Sequence, residues 1–169
     1  MNLQKKENKS NKEFDYQQFV NQLKREGYFN ADMTLDHWAF RPVDFRWLKT
    51  LEKIANKGNT FLDLGCGAGN ILYYADSLGY KCTGVEFNPE FEKFLQPFDY
   101  QIKDIQKLDP EFYSKFDVVY AYLPLKEDRQ DYYQKVISNI KTGAYWFCPF
   151  QYFDQINLIE VHPFIYRKK

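Results

Sequence analysis

The chain has 169 residues, 44% of them hydrophobic and 27% charged, which suits one globular domain with a full core. It carries 23 lysines and arginines against 23 aspartates and glutamates, so the basic excess typical of duplex-binding proteins is missing. No stretch approaches about 18 consecutive apolar residues, and the polar start lacks the apolar region of a secretory signal, so neither a membrane span nor secretion is expected.

The N-terminal part of the sequence predicts helices. Residues 1–13 are polar and lysine-rich, and we expect a disordered tail there. Residues 14–58 form a segment of two predicted helices that pack on the rest of the domain. The first has apolar residues at helical spacing and ends near Gly27. The second begins at Pro42, carries an apolar stripe that includes Trp47 and Leu51, and ends at Gly58.

From residue 59 to 169, predicted strands and helices alternate. Strands are predicted at 61–64, 82–87, 100–102, 118–122 and 144–147, with later candidates at 158–161 and 164–166. Helices are predicted at 70–78, after Asn88-Pro89, after Asp109-Pro110 and at 126–140. This alternation is typical of an α/β domain with a doubly wound, mostly parallel sheet and helices on both faces.

The three cysteines do not predict a disulfide or a metal site. Cys66, Cys82 and Cys148 are odd in number, form no CxxC pair and have no histidine cluster nearby. A reducing cytoplasm therefore fits this cysteine usage best, and we expect no metal.

A glycine-rich turn follows the first predicted strand of the sheet. Gly65, Gly67 and Gly69 stand between that strand and the helix that opens at Asn70, and Asp63 stands two residues before the first glycine. Glycines allow a ligand to approach the backbone closely, and the helix start offers free N–H groups. The spacing departs from the dinucleotide fingerprint, whose third glycine would fall on Asn70, so an oxidoreductase is not favoured.

Two further acids end the next two predicted strands. Glu86 follows Gly65 by 21 residues and ends the second strand, where a carboxylate can accept hydrogen bonds from ribose hydroxyls. Asp104 ends the third strand. Because the carboxyl ends of parallel strands meet at one edge of the sheet, these acids and the glycine turn should lie together.

In this register, the turn and the two acids resemble the class I S-adenosylmethionine-dependent methyltransferases over about residues 59–150. The resemblance implies a three-layer α/β/α sandwich with S-adenosylmethionine as cofactor. It places the amino-acid end on the turn, the ribose on Glu86, the adenine ring on Phe87 and the adenine amine at Asp104. The implied cofactor-binding residues are Asp63, Gly65, Cys66, Gly67, Gly69, Glu86, Phe87, Asp104, Ile105, Tyr120 and Ala121.

Some of these residues have simpler interpretations. Asp63 could simply cap the turn without contacting a ligand, and Asp104 could be a solvated acid at a strand end. We expect Cys66 to fill the turn rather than act as a nucleophile. Tyr120 and Tyr122 are candidates for lining the acceptor pocket and are the proposed catalytic residues; the alternative is that one faces the core and the other a helix.

The end of the fourth strand bears on the acceptor. Methyltransferases of base amino groups resemble one another through an acid or amide before Pro-Pro at this point, whereas the sequence here reads Ala121-Tyr122-Leu123-Pro124. Nucleic acid is therefore not expected. The Tyr-x-Tyr-Leu-Pro run at 120–124, together with the aromatic-rich residues 144–150 on the next strand, resembles small lysine methyltransferases that act on large proteins. The implied acceptor is therefore a protein side chain or a small molecule. A cofactor-binding module without transfer activity, acting as a sensor or partner subunit, is the alternative.

Two further expectations concern the ends of the domain. Only about twenty residues follow Phe150, so the C-terminal end of the sheet is expected to be abridged to one strand within 158–166. Either the N-terminal segment then closes the site, or the acceptor is a large partner that docks on an open face. In the N-terminal segment, Arg41 could pair with the cofactor carboxylate and His37 could be a general base, and the alternative is a connection with Trp38 and Phe40 packed on the sheet.

Overall fold

The computed structural model describes residues 15–28, 43–55, 59–122, 129–149, 151–154 and 156–169. The strands are β1 (Thr60–Leu64), β2 (Lys81–Glu86), β3 (Asp99–Ile102), β4 (Val118–Ala121), β5 (Tyr145–Phe147), β6 (Leu158–His162) and β7 (Ile165–Lys168). The α-helices are α1 (Tyr16–Arg25), α2 (Phe45–Leu48), α3 (Asn70–Ser77), α4 (Glu92–Leu95), α5 (Pro110–Tyr113) and α6 (Arg129–Asn139). Short 3₁₀ helices cover Lys49–Lys53, Pro89–Phe91 and Ile105–Lys107.

The seven strands form one sheet in the order β3-β2-β1-β4-β5-β7-β6. The first five strands are parallel, and β7 and β6 run antiparallel to their neighbours. From β1, the chain crosses over to β2 in one direction along the sheet, and from β4 it crosses over to β5 in the opposite direction. The point between β1 and β4 is therefore a topological switch point. Such a switch point creates a crevice at the carboxyl ends of the strands, and ligands bind there in open α/β sheets.

Local signals in the sequence set the ends of most elements. The Asp15 side chain caps α1 by accepting from the Gln18 N–H, and the Asn88 side chain caps the next turn by accepting from the Glu90 N–H. Gly27 and Gly79 follow α1 and α3 with φ of 81° and 95°, a conformation that only glycine adopts without strain. The sequence predicts the helix boundaries at Gly27, Gly79 and Asn88, whereas the cap at Asp15 is a finding of the structure.

The core is divided into two layers by the sheet. On one face, α1, α2, α3 and α4 pack on side chains such as Phe61, Tyr120 and Phe147. On the other face, α5 and α6 pack on a second set that includes Leu62 and Trp146. Alternate residues of β1 and β4 therefore face different layers, as the side-chain period of a strand requires. The predicted doubly wound α/β sandwich is confirmed.

The structure corrects two details of the predicted elements. The C-terminal end contains two strands rather than one, because residues 158–162 and 165–168 form an antiparallel hairpin that adds β7 to β5. The abridgement lies instead between β5 and β6, where no described residue is helical. The second N-terminal helix is also shorter than predicted: α2 gives way to a 3₁₀ turn at Lys49 and ends before Ile54.

Other features bear on the remaining expectations. The predicted tail at residues 1–13 lies outside the described residues, as do Gly58 and Pro42. No helix in the described part of the chain is long and apolar enough to cross a membrane. Within the described ranges, no group of three or more histidine, cysteine or acidic side chains could hold a metal ion. All three cysteines are buried free thiols.

Candidate functional site

The glycine turn after β1 folds back onto the end of β2. Gly65, Gly67 and Gly69 have φ of 78°, 53° and 75°, so each needs the conformational freedom of glycine. The Gly65 and Cys66 N–H groups both donate to the Val85 carbonyl, at 2.9 and 3.1 Å, and the turn closes with the Gly69 N–H on the Cys66 carbonyl at 2.9 Å. The turn thus brings the start of α3 beside the carboxyl end of β2.

The Glu86 carboxylate joins the glycine turn to the end of β2. Its Oε2 accepts from the Gly67 N–H at 2.7 Å, and its Oε1 accepts from the Phe87 and Asn88 N–H groups, both at 2.8 Å. A carboxylate offers about four acceptor positions, so three backbone donors leave about one for a ligand hydroxyl. The carboxylate is fixed in place before any ligand arrives.

Asp63 is a buried carboxyl group that lacks a partner for one oxygen. It points to the α1 and α3 side of the sheet, its side chain is 1% exposed, and Oδ2 finds no hydrogen-bond donor among the described residues. Burial, and secondarily the negative Glu86 nearby, raises the pKa of the Asp63 carboxyl well above its usual value. A buried oxygen without a donor is costly, and a cationic ligand group such as an α-ammonium would satisfy it.

The residues predicted to hold the adenine ring also lie at this edge. Phe87 follows β2, and its ring is 64% exposed. Asp104 follows β3, where Oδ1 caps the next 3₁₀ helix by accepting from the Gln106 N–H and Oδ2 lies 3.7 Å from Lys107 Nζ. Ile105 packs into the core on the α5 and α6 side. Their roles toward a cofactor stay predictions.

The two tyrosines proposed for the acceptor pocket are placed differently. Tyr120 lies next to Asp63 across the β1–β4 register, and its ring is buried against Phe61 and Phe147 at centroid distances of 6.2 and 5.1 Å. The Tyr120 hydroxyl has no hydrogen-bond partner within the described residues. Tyr122 is half-buried beyond the end of β4. Ala121 is buried on the opposite face of the sheet.

Sequence reasoning did not identify Tyr16 and Asn70 as part of this edge. The Asn70 Nδ2 donates to the Tyr16 hydroxyl at 3.0 Å, and that hydroxyl donates to the Val43 carbonyl at 2.9 Å. Tyr16 belongs to an ordinary helical stripe, and no pattern in the sequence indicates its partner 54 residues away. His37, Trp38, Phe40 and Arg41 lie outside the described residues. Tyr28, which lies just before this undescribed stretch, packs on Phe94 of α4.

The chain is similar to known methyltransferases in both sequence and fold. A family profile described as a methyltransferase domain matches residues 62–143, about half of the chain. No curated protein matches it by sequence. Among solved structures, it is similar to TehB from Haemophilus influenzae, with a TM-score of 0.53, 19% identity and coverage of 64% of this chain and 41% of that one. An RNA methyltransferase from Salinibacter ruber, solved with S-adenosyl-L-homocysteine, has a TM-score of 0.55, 17% identity and coverage of 75% and 91%.

A third similar structure is an S-adenosylmethionine-dependent methyltransferase from Mesorhizobium loti, with a TM-score of 0.50, 21% identity and coverage of 59% of this chain and 50% of that one. This chain therefore spans half or less of the lengths of TehB and the Mesorhizobium protein. At such identities, the likeness establishes a common fold. The family profile matches the sequence from within β1 to just beyond α6, and this region contains the glycine turn, Glu86 and Asp104.

Proposed function

We propose that this chain, which matches a methyltransferase domain over residues 62–143 and has a methyltransferase-like fold, is a class I S-adenosylmethionine-dependent methyltransferase that transfers a methyl group from S-adenosylmethionine to a protein side chain. A small molecule is the alternative acceptor. The observation that carries the proposal is the arrangement at the end of β1 and β2, where a glycine turn, the fixed Glu86 carboxylate and the unpaired Asp63 oxygen meet.

The residues of this arrangement fit the chemical groups of the cofactor one by one. The Asp63 oxygen, buried and without a donor, suits the cationic α-ammonium at the amino-acid end. The free acceptor position on Glu86 suits a ribose hydroxyl. The exposed Phe87 ring suits stacking on adenine. When bound, the cofactor would supply a methyl group activated by a positively charged sulfur.

The chain's part in the transfer is to position the reactants and exclude water. In-line displacement gains most from holding the acceptor atom, the methyl group and the sulfur collinear. The short hydrogen bonds of Glu86 to three backbone N–H groups make this edge rigid before binding. Tyr122, half-buried at the end of β4, is placed where an aromatic face could stabilise a cationic sulfonium or alkyl-ammonium.

The preference for a protein acceptor is supported by the end of β4 and by charge. Ala121 and Tyr122 stand where methyltransferases of base amino groups have an acid or amide, and the formal net charge is zero. A lysine side chain is the acceptor favoured by the tyrosine-rich run. A lysine arrives as an ammonium and must lose a proton before it attacks, so transfer to lysine should accelerate with rising pH.

The cofactor is tested first by thermal unfolding with S-adenosylhomocysteine, with NAD as the control ligand. Ligand at about 100 times its Kd should stabilise the fold by about 2.7 kcal/mol, or about 5–10 °C for a chain of this size. The Glu86→Ala variant should lose most of that shift. No shift at millimolar S-adenosylhomocysteine would overturn the proposed function.

The acceptor is tested with methyl-labelled S-adenosylmethionine and three separate acceptor pools: a nuclease-treated protein extract, its small-molecule ultrafiltrate and purified RNA. We expect label in the protein pool, on lysine after acid hydrolysis, and none with Glu86→Ala. Label in the ultrafiltrate would favour the small-molecule acceptor, and label in RNA would contradict the proposal. Binding of S-adenosylhomocysteine without label in any pool would favour the non-catalytic module.

A further inference from the structure

A buried polar link connects the N-terminal helix to the start of α3. Tyr16 and Asn70 are each 4% exposed, and the hydrogen bond between them joins α1 to the first residue after the glycine turn. Tyr16 is held from both sides, since its hydroxyl donates to the Val43 carbonyl and its ring stacks on Phe45 at 5.3 Å. The buried residues around the link include the apolar side chains of Val20 and Leu23, and the Phe19 ring of α1 contacts the Tyr73 ring of α3.

This link lies on the face of the sheet toward which the Asp63 side chain points, and Asn70 is the first residue after the glycine turn that follows Asp63. Burial raises the pKa of the Tyr16 hydroxyl, the hydrogen bond from Asn70 opposes that rise, and the negative charge of Asp63 adds to it, as Tyr122 does to a smaller extent. Tyr16 therefore lies within electrostatic reach of both Asp63 and Tyr122, the residue that follows β4. Packing alone would be served equally well by an apolar pair, because a buried hydrogen bond contributes little net stability. A polar link at this point is instead suited to fixing the geometry of the groups around Asp63.

We propose that Tyr16 and Asn70 are positioning residues of the subsite that takes the charged amino-acid end of the cofactor. The inference rests on the proposed function and extends it, because Tyr16 lies outside the matched methyltransferase region and the helix that carries it would complete the cofactor site. Tyr16 acts through Asn70: its hydroxyl accepts a hydrogen bond from the Asn70 side-chain amide and so fixes the start of α3. The ligand class is a nucleoside thioether or sulfonium with a zwitterionic amino-acid tail.

The test compares two ligands that differ only at that end. S-adenosylhomocysteine carries the amino-acid tail, whereas 5′-methylthioadenosine replaces it with a methyl group. Their Kd values are measured by calorimetry on the full chain for wild type, Tyr16→Phe and Asn70→Ala. We expect each variant to weaken S-adenosylhomocysteine by about tenfold, equivalent to about 1.4 kcal/mol, and to change methylthioadenosine by less than about twofold.

Tyr74→Phe is the matched control. The Tyr74 hydroxyl also links α3 to the N-terminal segment, through a 2.7 Å hydrogen bond to Glu52 Oε1, but it lies one helical turn further from the glycines. Its removal should alter neither Kd by more than about twofold, although it should lower the unfolding temperature much as Tyr16→Phe does. A merely structural role of Tyr16 would make the two tyrosine variants behave alike toward the ligands.

The ratio of the two Kd values decides the outcome, because partial loss of folded protein lowers binding of both ligands together. If wild type binds S-adenosylhomocysteine and the ratio is unchanged in Tyr16→Phe and in Asn70→Ala, the positioning role is wrong while the proposed function stands. If Tyr16→Phe fails to fold, Asn70→Ala breaks the same hydrogen bond from the other partner and carries the test. If wild type binds neither ligand, the proposed function fails and this inference fails with it.

Discussion

Asp63 and Glu86 are both carboxyl groups at strand ends, yet the fold treats their charges differently. Glu86 accepts three backbone hydrogen bonds, whereas one Asp63 oxygen has no donor in the described part of the chain. We predict that Asp63→Asn stabilises the ligand-free protein by about 1–3 kcal/mol, because an amide is easier to bury than an unpaired carboxyl. The same change should weaken S-adenosylhomocysteine at least tenfold. Urea denaturation and calorimetry measure the two effects, and lower stability with intact binding would contradict the assignment.

The pH dependence of stability provides a second test, of the protonation of the buried Asp63 carboxyl. Its folded-state pKa is raised by burial and by Glu86, so the folded protein holds the proton more tightly than the unfolded chain. Protonation of Asp63 then stabilises the folded protein fully below the usual aspartate pKa of about 3.9. This stabilisation is lost as the pH rises through the raised folded-state pKa of Asp63. Melting temperatures of ligand-free wild type and Asp63→Asn, measured from pH 4 to 8, should therefore diverge with rising pH in favour of the variant. Parallel curves would show that Asp63 is ionised and paired.

Replacing Glu86 should have the opposite effect on stability to replacing Asp63. Removing its carboxylate leaves the Gly67, Phe87 and Asn88 N–H groups without their acceptors, so Glu86→Ala should destabilise the ligand-free protein by about 1–3 kcal/mol. Because Glu86 is assigned to the ribose, the variant should lose S-adenosylhomocysteine and 5′-methylthioadenosine equally. Loss of only the ligand with the amino-acid tail would place Glu86 at the wrong end of the cofactor. The unfolding free energy and the two Kd values are the measurements.

Single residues at strand ends could be predicted from the sequence, but their partners could not. Asp63 and Glu86 stand at fixed distances from a glycine turn between a strand and a helix, so their meeting follows from parallel topology. Tyr16 looks like any buried residue of an amphipathic helix, and its bond to Asn70 depends on how α1 docks on α3. Tyr120 is similar: the strand alternates sides, and only the finished sheet determines which layer receives its ring.

At the scale of elements, β2 and α3 are packed closely enough to require a glycine. A Cβ on Gly84 would lie 2.8 Å from Cys66 Sγ and 2.8 Å from Leu72 Cδ1. We predict that Gly84→Ala costs about 1–3 kcal/mol through overpacking and weakens S-adenosylhomocysteine, since Cys66 is part of the turn. Adding Cys66→Ala should recover part of the loss by removing Sγ. Thermal unfolding of the single and double variants checks this, and an unchanged melting temperature in Gly84→Ala would contradict it.

The elements that the sequence predicts best are those bounded by local chemistry. Asn88-Pro89, Asp109-Pro110 and Gly79 mark helix ends through caps and backbone restrictions that need no tertiary information. The pairing of β7 with β5 is different, because it joins residues about twenty positions apart, and β7 is also the second strand of a hairpin with β6. The short α2 likewise ends early because residues Lys49–Lys53 tighten into a 3₁₀ turn against the sheet, which the apolar spacing alone does not indicate.

For the whole molecule, the sheet separates two cores that could unfold together or in turn. Trp47 reports on the α1 and α2 side, where it packs on Phe164 at 4.8 Å, and Trp146 is buried on the α6 side against Tyr133. Because β1, β2, β4, β5 and β7 contribute side chains to both layers, loss of one layer exposes the back of the other. A single cooperative transition is therefore expected, as for most domains of about this size.

We predict coincident urea midpoints for the two cores. The measurement uses the fluorescence of two single-tryptophan proteins, one keeping Trp47 and the other Trp146, with the remaining tryptophans changed to phenylalanine. Each midpoint is compared with the circular dichroism midpoint of the same protein, so a stability change caused by the substitutions cancels. S-adenosylhomocysteine should raise both midpoints equally, because a ligand at the carboxyl edge binds only the intact sheet. If the Trp47 signal changes at lower urea than the dichroism while the Trp146 signal does not, then α1 and α2 form a separately unfolding layer, and the cofactor site would lose Tyr16 before the sheet melts.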